Sequence, residues 1–125
     1  MGLDMYAYTA PANSIDKDVD FEKGELPELS EIHYWRKHPN LHGWMAELYV
    51  KKGGTAETFN CTPVRLTASD LDELENAIKG GELPPTSGFF FGESIGDETE
   101  DDLDFIAKAR VAIEAGDAVL YDSWW

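Results

Sequence analysis

All three histidines of the chain, His33, His38 and His42, fall within ten residues. Tyr34, Trp35, Arg36, Lys37 and Asn40 lie among them, and Trp44 follows in the same stretch. In an otherwise acidic chain this run concentrates the side chains able to move a proton, bind a metal or stack on a ring. His38 and His42 stand at i and i+4, so on a helix they occupy neighbouring turns of one face. That is also a zinc spacing, with His33 or Asp4 as a third ligand. The Glu of the His-Glu-x-x-His pattern is missing, because position 39 is Pro. The competing reading makes His38 a turn residue and His42 a half-buried amphipathic side chain, so neither a metal nor a cofactor is assigned.

Arg36 beside Trp35 offers a planar cation for an anionic ligand or for an internal carboxylate. Asp4 is anomalous in an otherwise strand-like stretch and is the expected partner of Arg36 or Arg110. A carboxylate held between two strands is also a possible general base. The candidate ligand pocket is therefore Asp4, His33, Trp35, Arg36, His38, Asn40 and His42, with no catalytic residue assigned.

Weaker signals lie elsewhere. Ser87-Gly88 hints at a nucleophile, but the Gly-x-Ser-x-Gly elbow is absent. Phe89-Phe90-Phe91 reads as core packing in a strand or a tight packed loop, with a ring exposed for a partner as the alternative. Trp124-Trp125 is either tucked into the sheet or a sticky contact. Asp16-x-Asp18-x-Asp20 begins like a calcium loop, but Phe21 and Pro27 stand where Gly and a bidentate Glu belong. Residues 97–104 hold six carboxylates and read as a solvated helix start. Cys61 reads as a buried structural thiol.

The elements that must position these groups follow from periodicity. Leu3, Met5 and Ala7 alternate with Asp4, Tyr6 and Tyr8, a strand that sets Asp4 on one face with two tyrosines. Residues 10–31 form a long acidic loop or ordered excursion. Ile32 to Arg36 is a second strand, with His33 and Trp35 on one face and Tyr34 and Arg36 on the other. Pro39 opens a helix. Its inner stripe is Leu41, Trp44, Met45 and Leu48, and it stops at Lys51-Lys52 and Gly53-Gly54. Thr58 to Leu66 is a strand interrupted or edged at Pro63. Thr67-x-x-Asp70 is a capping box for a helix that buries Leu71, Leu74, Ala77 and Ile78 and ends at Gly80-Gly81. Thr99 caps a third helix with Leu103, Ile106, Ala107, Arg110 and Ile113 inside. Ala118 to Trp125 is the last strand. The sum is one α+β (or α/β) domain over residues 1–125, a sheet of four or five strands packed by three helices.

The chain carries 25 acidic and 10 basic residues, a formal charge of −15. That argues against nucleic acid or an anionic membrane as a direct partner, since both demand clustered Lys and Arg. Solubility, including adaptation to high salt, attraction to a basic partner protein, and mimicry of nucleic-acid charge remain. A single cysteine permits no internal disulfide and no Cys-based zinc site. The start has no basic region followed by an apolar run, and no stretch nears the ~18 apolar residues of a membrane span. The expected compartment is the cytoplasm.

Four strings stand out: Met1-Gly2-Leu3-Asp4-Met5-Tyr6; Tyr34-Trp35-Arg36-Lys37 with Asn40, His42 and Trp44; Ser87-Gly88-Phe89-Phe90-Phe91-Gly92; and Ser123-Trp124. In this order they make the chain resemble a family of small uncharacterised bacteriophage and bacterial proteins often labelled phosphoglycerate kinase. The resemblance implies a phage-associated protein and brings no activity with it. The kinase label does not suit this chain, which is short for a two-domain kinase and has no glycine-rich phosphate loop followed by Lys. The expected function is that of an accessory protein that binds a macromolecular partner with a basic surface, without catalysis. The rival is a small ligand-, metal- or anion-binding or hydrolytic domain built on the pocket around residues 33–44.

Overall fold

Four antiparallel strands form the sheet: β1 (Asp4–Pro11), β2 (Ser30–Arg36), β3 (Val64–Leu66) and β4 (Asp117–Trp124), in the order β2-β1-β4-β3. Three helices accompany it: α1 (Pro39–Lys51), α2 (Ala68–Lys79) and α3 (Thr99–Glu114). The structure is a computed structural model that describes residues 2–21, 26–88, 92, 94 and 98–125. The expected aromatic run at 89–91 lies outside the described residues.

Period-two alternation decides what each face of the sheet carries. Met5, Ala7, Trp35, Val64, Leu66, Val119 and Tyr121 are buried on one face, in one cluster with Leu41, Met45 and Leu48 of α1, Leu71, Leu74 and Ile78 of α2, and Phe105 and Ile106 of α3. The helices thus cover a single face, as a small antiparallel α+β structure allows. On the other face Ile15, Phe21, Leu26 and Leu29 pack on Ala10, Ala118 and Leu120.

The local signals account for the boundaries. Pro39 is the first residue of α1, and Lys52 closes it with its N–H on the Leu48 carbonyl. Gly53 then turns with φ +95°, a conformation open to a residue without Cβ. Thr67 and Asp70 make the reciprocal capping box of α2. Lys52 reaches Asp70 at 2.5 Å, which ties the end of α1 to the start of α2.

Four expectations are corrected. The third strand is only Val64–Leu66, because Pro63 lacks a donor and Cys61 sits at φ 57°. Cys61 itself is exposed rather than buried. At α3, Glu98 is the N-cap residue and Thr99 makes no side-chain cap. The buried stripe of α3 is Asp102, Phe105, Ile106 and Ala109, rotated from the expected one. Arg110 therefore sits at the flank, held by Glu75 at 2.5 Å and Asp72 at 2.8 Å from α2, and not by Asp4.

Candidate functional site

The seven candidate residues do not share one cleft. Strand parity sends His33 and Trp35 to the helix side and Asp4 and Arg36 to the open side, so the sheet itself separates them. Asp4 pairs in register with Arg36 and Trp124, whereas Met5 pairs with Trp35. The single pocket expected from the sequence is corrected to two sites, one on each face, with His42 in a third place.

On the helix side, a buried carboxylate organises the residues. Asp102 is 2% exposed, and its Oδ1 accepts from Trp35 Nε1 at 3.1 Å. Its Oδ2 lies 2.9 Å from His38 Nε2. Indole N–H can only donate, and an ionised carboxylate can only accept, so His38 must carry its proton on Nε2. In the neutral ring His38 Nδ1 is then the acceptor, and Ser94 Oγ lies 2.7 Å from it. Ser94 Oγ in turn accepts from the Asn40 backbone N–H at 3.1 Å. Every member of the chain Asn40, Ser94, His38, Asp102, Trp35 thus has a consistent donor or acceptor role. Glu98 Oε2 stands 3.6 Å from the same His38 Nδ1, well placed to meet an imidazolium. A cleft of about 240 Å³ opens on this group, lined by His38, Asn40, Leu83, Ser94, Glu98 and Asp102 among others.

His33 makes a parallel pair with the preceding acid. Its Nε2 lies 3.1 Å from Asp101, and Lys108 Nζ lies 3.2 Å from its Nδ1. Its ring packs at 4.5 Å from Trp35 and 5.7 Å from Phe105. The two histidines therefore lean on consecutive acids in the first turn of α3, the end at which the helix dipole favours negative charge.

His42 points elsewhere. Its Nδ1 lies 2.7 Å from the buried Tyr121 hydroxyl, and its ring packs on Phe59 and Trp125. Burial drives its pKa down to about 4, so the ring is neutral at pH 7 and accepts the Tyr121 proton. Burial also raises the Tyr121 pKa. The i and i+4 histidines thus turn to different groups, His38 to Ser94 and Asp102 and His42 to Tyr121. Among the described residues no group of three His, Cys, Asp or Glu side chains is arranged to hold a metal.

The open side of the sheet carries an aromatic face. Tyr6 stacks on Tyr8 at 5.8 Å and tilts against Tyr34 at 5.4 Å. Tyr34 is 45% exposed and Trp124 65% exposed. Tyr34 donates its hydroxyl to Asp4 at 2.6 Å, and Arg36 stands 3.8 Å from the same Asp4 oxygen. The hydrogen bond to Asp4, ahead of burial and the Asp4 charge, pushes the Tyr34 pKa up to about 12. Asp122, across from Tyr6 on β4, is pushed up to about 6 by burial, against a Ser123 backbone N–H that stabilises its charge. Tyrosines and carboxylates thus share this face of the sheet.

Three functional side chains escaped the reading of the sequence: Asp102, Ser94 and Tyr121. Asp102 left a signal, since Phe105, Ile106 and Ala109 follow it at +3, +4 and +7, the spacing of one helical face. An acid on an apolar stripe must be paired. Ser94 left none, being brought to His38 from 56 residues away. Comparison of the chain with family models, curated proteins and solved structures gives no match.

Proposed function

We propose that the protein binds a basic segment of a partner protein on the open face of its sheet. The observation that carries this reading is the exposed pair Tyr34 and Trp124 beside the half-buried Tyr6 and Tyr8, interleaved with Asp4 and Asp122, on a chain of net charge −15. Aromatic faces attract guanidinium and ammonium groups, and carboxylates between them supply hydrogen-bonding counter-charges. The summed negative field speeds encounter with a basic partner and repels nucleic acid and anionic lipid. No helix among the described residues is long and apolar enough to cross a membrane. The role is that of an accessory protein of the cytoplasm, in keeping with the resemblance to phage and bacterial proteins.

Titration with a short arginine-rich peptide, followed by Trp fluorescence and by NMR shift mapping, tests the reading. The expected result is saturable binding that weakens with salt, with shifts confined to Tyr6, Tyr8, Tyr34, Asp122 and Trp124. The double variant Y34A/W124A should bind at least about tenfold more weakly, the loss expected for two aromatic anchors. Shifts that map to the helices, or an affinity indifferent to the double variant, would overturn it.

A further inference from the structure

The helix-side network contains more than helix capping requires. Ser94 does cap α1, through the Asn40 N–H, but a cap needs only the hydroxyl. Behind that hydroxyl stand an imidazole 4% exposed and a carboxylate 2% exposed, each bound to the next at 2.7 Å and 2.9 Å. This is the order nucleophile, base, orienting acid that activates a serine, reached here through Nδ1 of the ring and not Nε2. Trp35 fixes the acid as an acceptor, and the acid fixes the tautomer that leaves Nδ1 free to take the Ser94 proton. We propose that Ser94, His38 and Asp102 form a hydrolytic site for small, uncharged acyl esters.

The surroundings suit that class. Ser94 and Asn40 line both the cleft of about 240 Å³ and a hollow of about 410 Å³ beside Thr86, so there is space near Ser94 for an acyl group and its alcohol. Glu98 and Asp102 on the first wall disfavour an anionic substrate. Asn40 has its side-chain carbonyl taken by the Thr86 N–H, so its amide NH2 is the donor for the developing oxyanion.

The step balances within the site. Ser94 Oγ bonds to the acyl carbon while its proton passes to His38 Nδ1. The ester C–O bond then breaks, and the departing alkoxide takes that proton. Water attacks the acyl-serine and gives its proton to Nδ1. The bond from Ser94 to the acyl group breaks, Ser94 Oγ regains a proton, and alcohol and acid leave. Glu98 at 3.6 Å stabilises the imidazolium at both stages. Ser94 and His38 are catalytic residues in this scheme, whereas Asp102 and Trp35 are positioning residues.

The test uses the full chain, p-nitrophenyl acetate as substrate and a fluorophosphonate as serine label. One label per chain on Ser94, located by peptide mass spectrometry, is the expected result. S94A should lose the label and at least about 100-fold of the esterase rate, the scale of a lost nucleophile–base pair. D102N should depress the rate and displace the pH profile, because the ring loses its orienting charge. S94C gives a second readout independent of ester turnover: alkylation by iodoacetamide faster than that of Cys61, and slowed when His38→Gln is added. Failure to label Ser94 beyond the level of the urea-unfolded chain, or equal rates in folded wild type and S94A, would overturn the proposal. Labelling reports on the helix side and the peptide titration on the open face of the sheet, so the two outcomes are independent.

Discussion

At the residue scale, burial and partners decide which histidine can do what. His38 is buried but bracketed by Ser94, Glu98 and Asp102, so each ring nitrogen has a polar partner. His42 is buried against Tyr121, Phe59 and Trp125, and burial takes its pKa from the ordinary 6.5 to about 4. The folded chain therefore binds fewer protons here than the unfolded chain between pH 4 and 6.5, and stability rises with pH across that window. The shift corresponds to about 3 kcal/mol at its limit. Asp122 acts in the opposite sense: its raised pKa means that folding favours the protonated form, so its contribution declines as pH rises from about 4 towards about 6. His42→Gln separates the two. Its stability relative to wild type, measured by urea unfolding at several pH values, should improve steadily as pH falls from 6.5 to 4. A constant difference would mean that His42 is not the buried neutral ring described here. The sequence marked these histidines as the chemically dense stretch but grouped His38 with His42 by spacing. Pro39 defeats that grouping, because His38 is the cap residue outside the helix and His42 lies inside it.

At the element scale, what could be read in advance was whatever a local rule controls. Proline at the start of α1, the box of Thr67 and Asp70, and the alternation of β1 each leave a short-range pattern, and the structure follows them. The phase of α3 was misjudged because Asp102 was counted as solvated, whereas its pairing with Trp35 and His38 turns that face inward. Parity within β2 already parts Arg36 from His33 and Trp35 in the sequence, but no local rule shows that the register sets Asp4 opposite Arg36. The packing of α1 against the 82–88 segment makes a sharp prediction. Gly43 is buried in α1, and a Cβ there would lie 1.9 Å from Thr86 Oγ1 and 2.9 Å from Thr86 Cβ. Alanine gains up to about 1 kcal/mol over glycine within a helix. Forcing an extra methyl into a filled contact costs about 1–3 kcal/mol. The clash should win, so Gly43→Ala should lower the unfolding free energy by about 1 kcal/mol or more. Adding Thr86→Gly should recover part of it, because the hydroxyl and the Cβ that meet the new methyl are then both gone. A stabilised single variant would show that Thr86 does not pack on α1.

At the scale of the whole molecule, charge sets two responses of opposite sign to one variable. A net −15 over 125 residues makes the compact state repel itself, and added salt relieves this as the screening length falls to about 8–10 Å. The same salt weakens attraction between the sheet face and a basic segment. Against the first effect stand the ion pairs that salt also screens. Lys52–Asp70 at 2.5 Å is substantially buried and resists screening, whereas Lys51–Glu73 at 3.6 Å and Lys108–Asp104 at 3.2 Å are exposed and contribute little even at low salt. Repulsion among 25 acids thus outweighs the pairs that salt can reach. Melting followed by circular dichroism should give a Tm that climbs as sodium chloride is raised from low to physiological strength. Over the same range the arginine-rich peptide should bind progressively less tightly. A Tm that falls with salt would mean that the ion pairs, not the net charge, dominate the folded state's electrostatics. A rising Tm with unchanged peptide affinity would keep the fold's charge argument while removing the electrostatic basis for a basic partner.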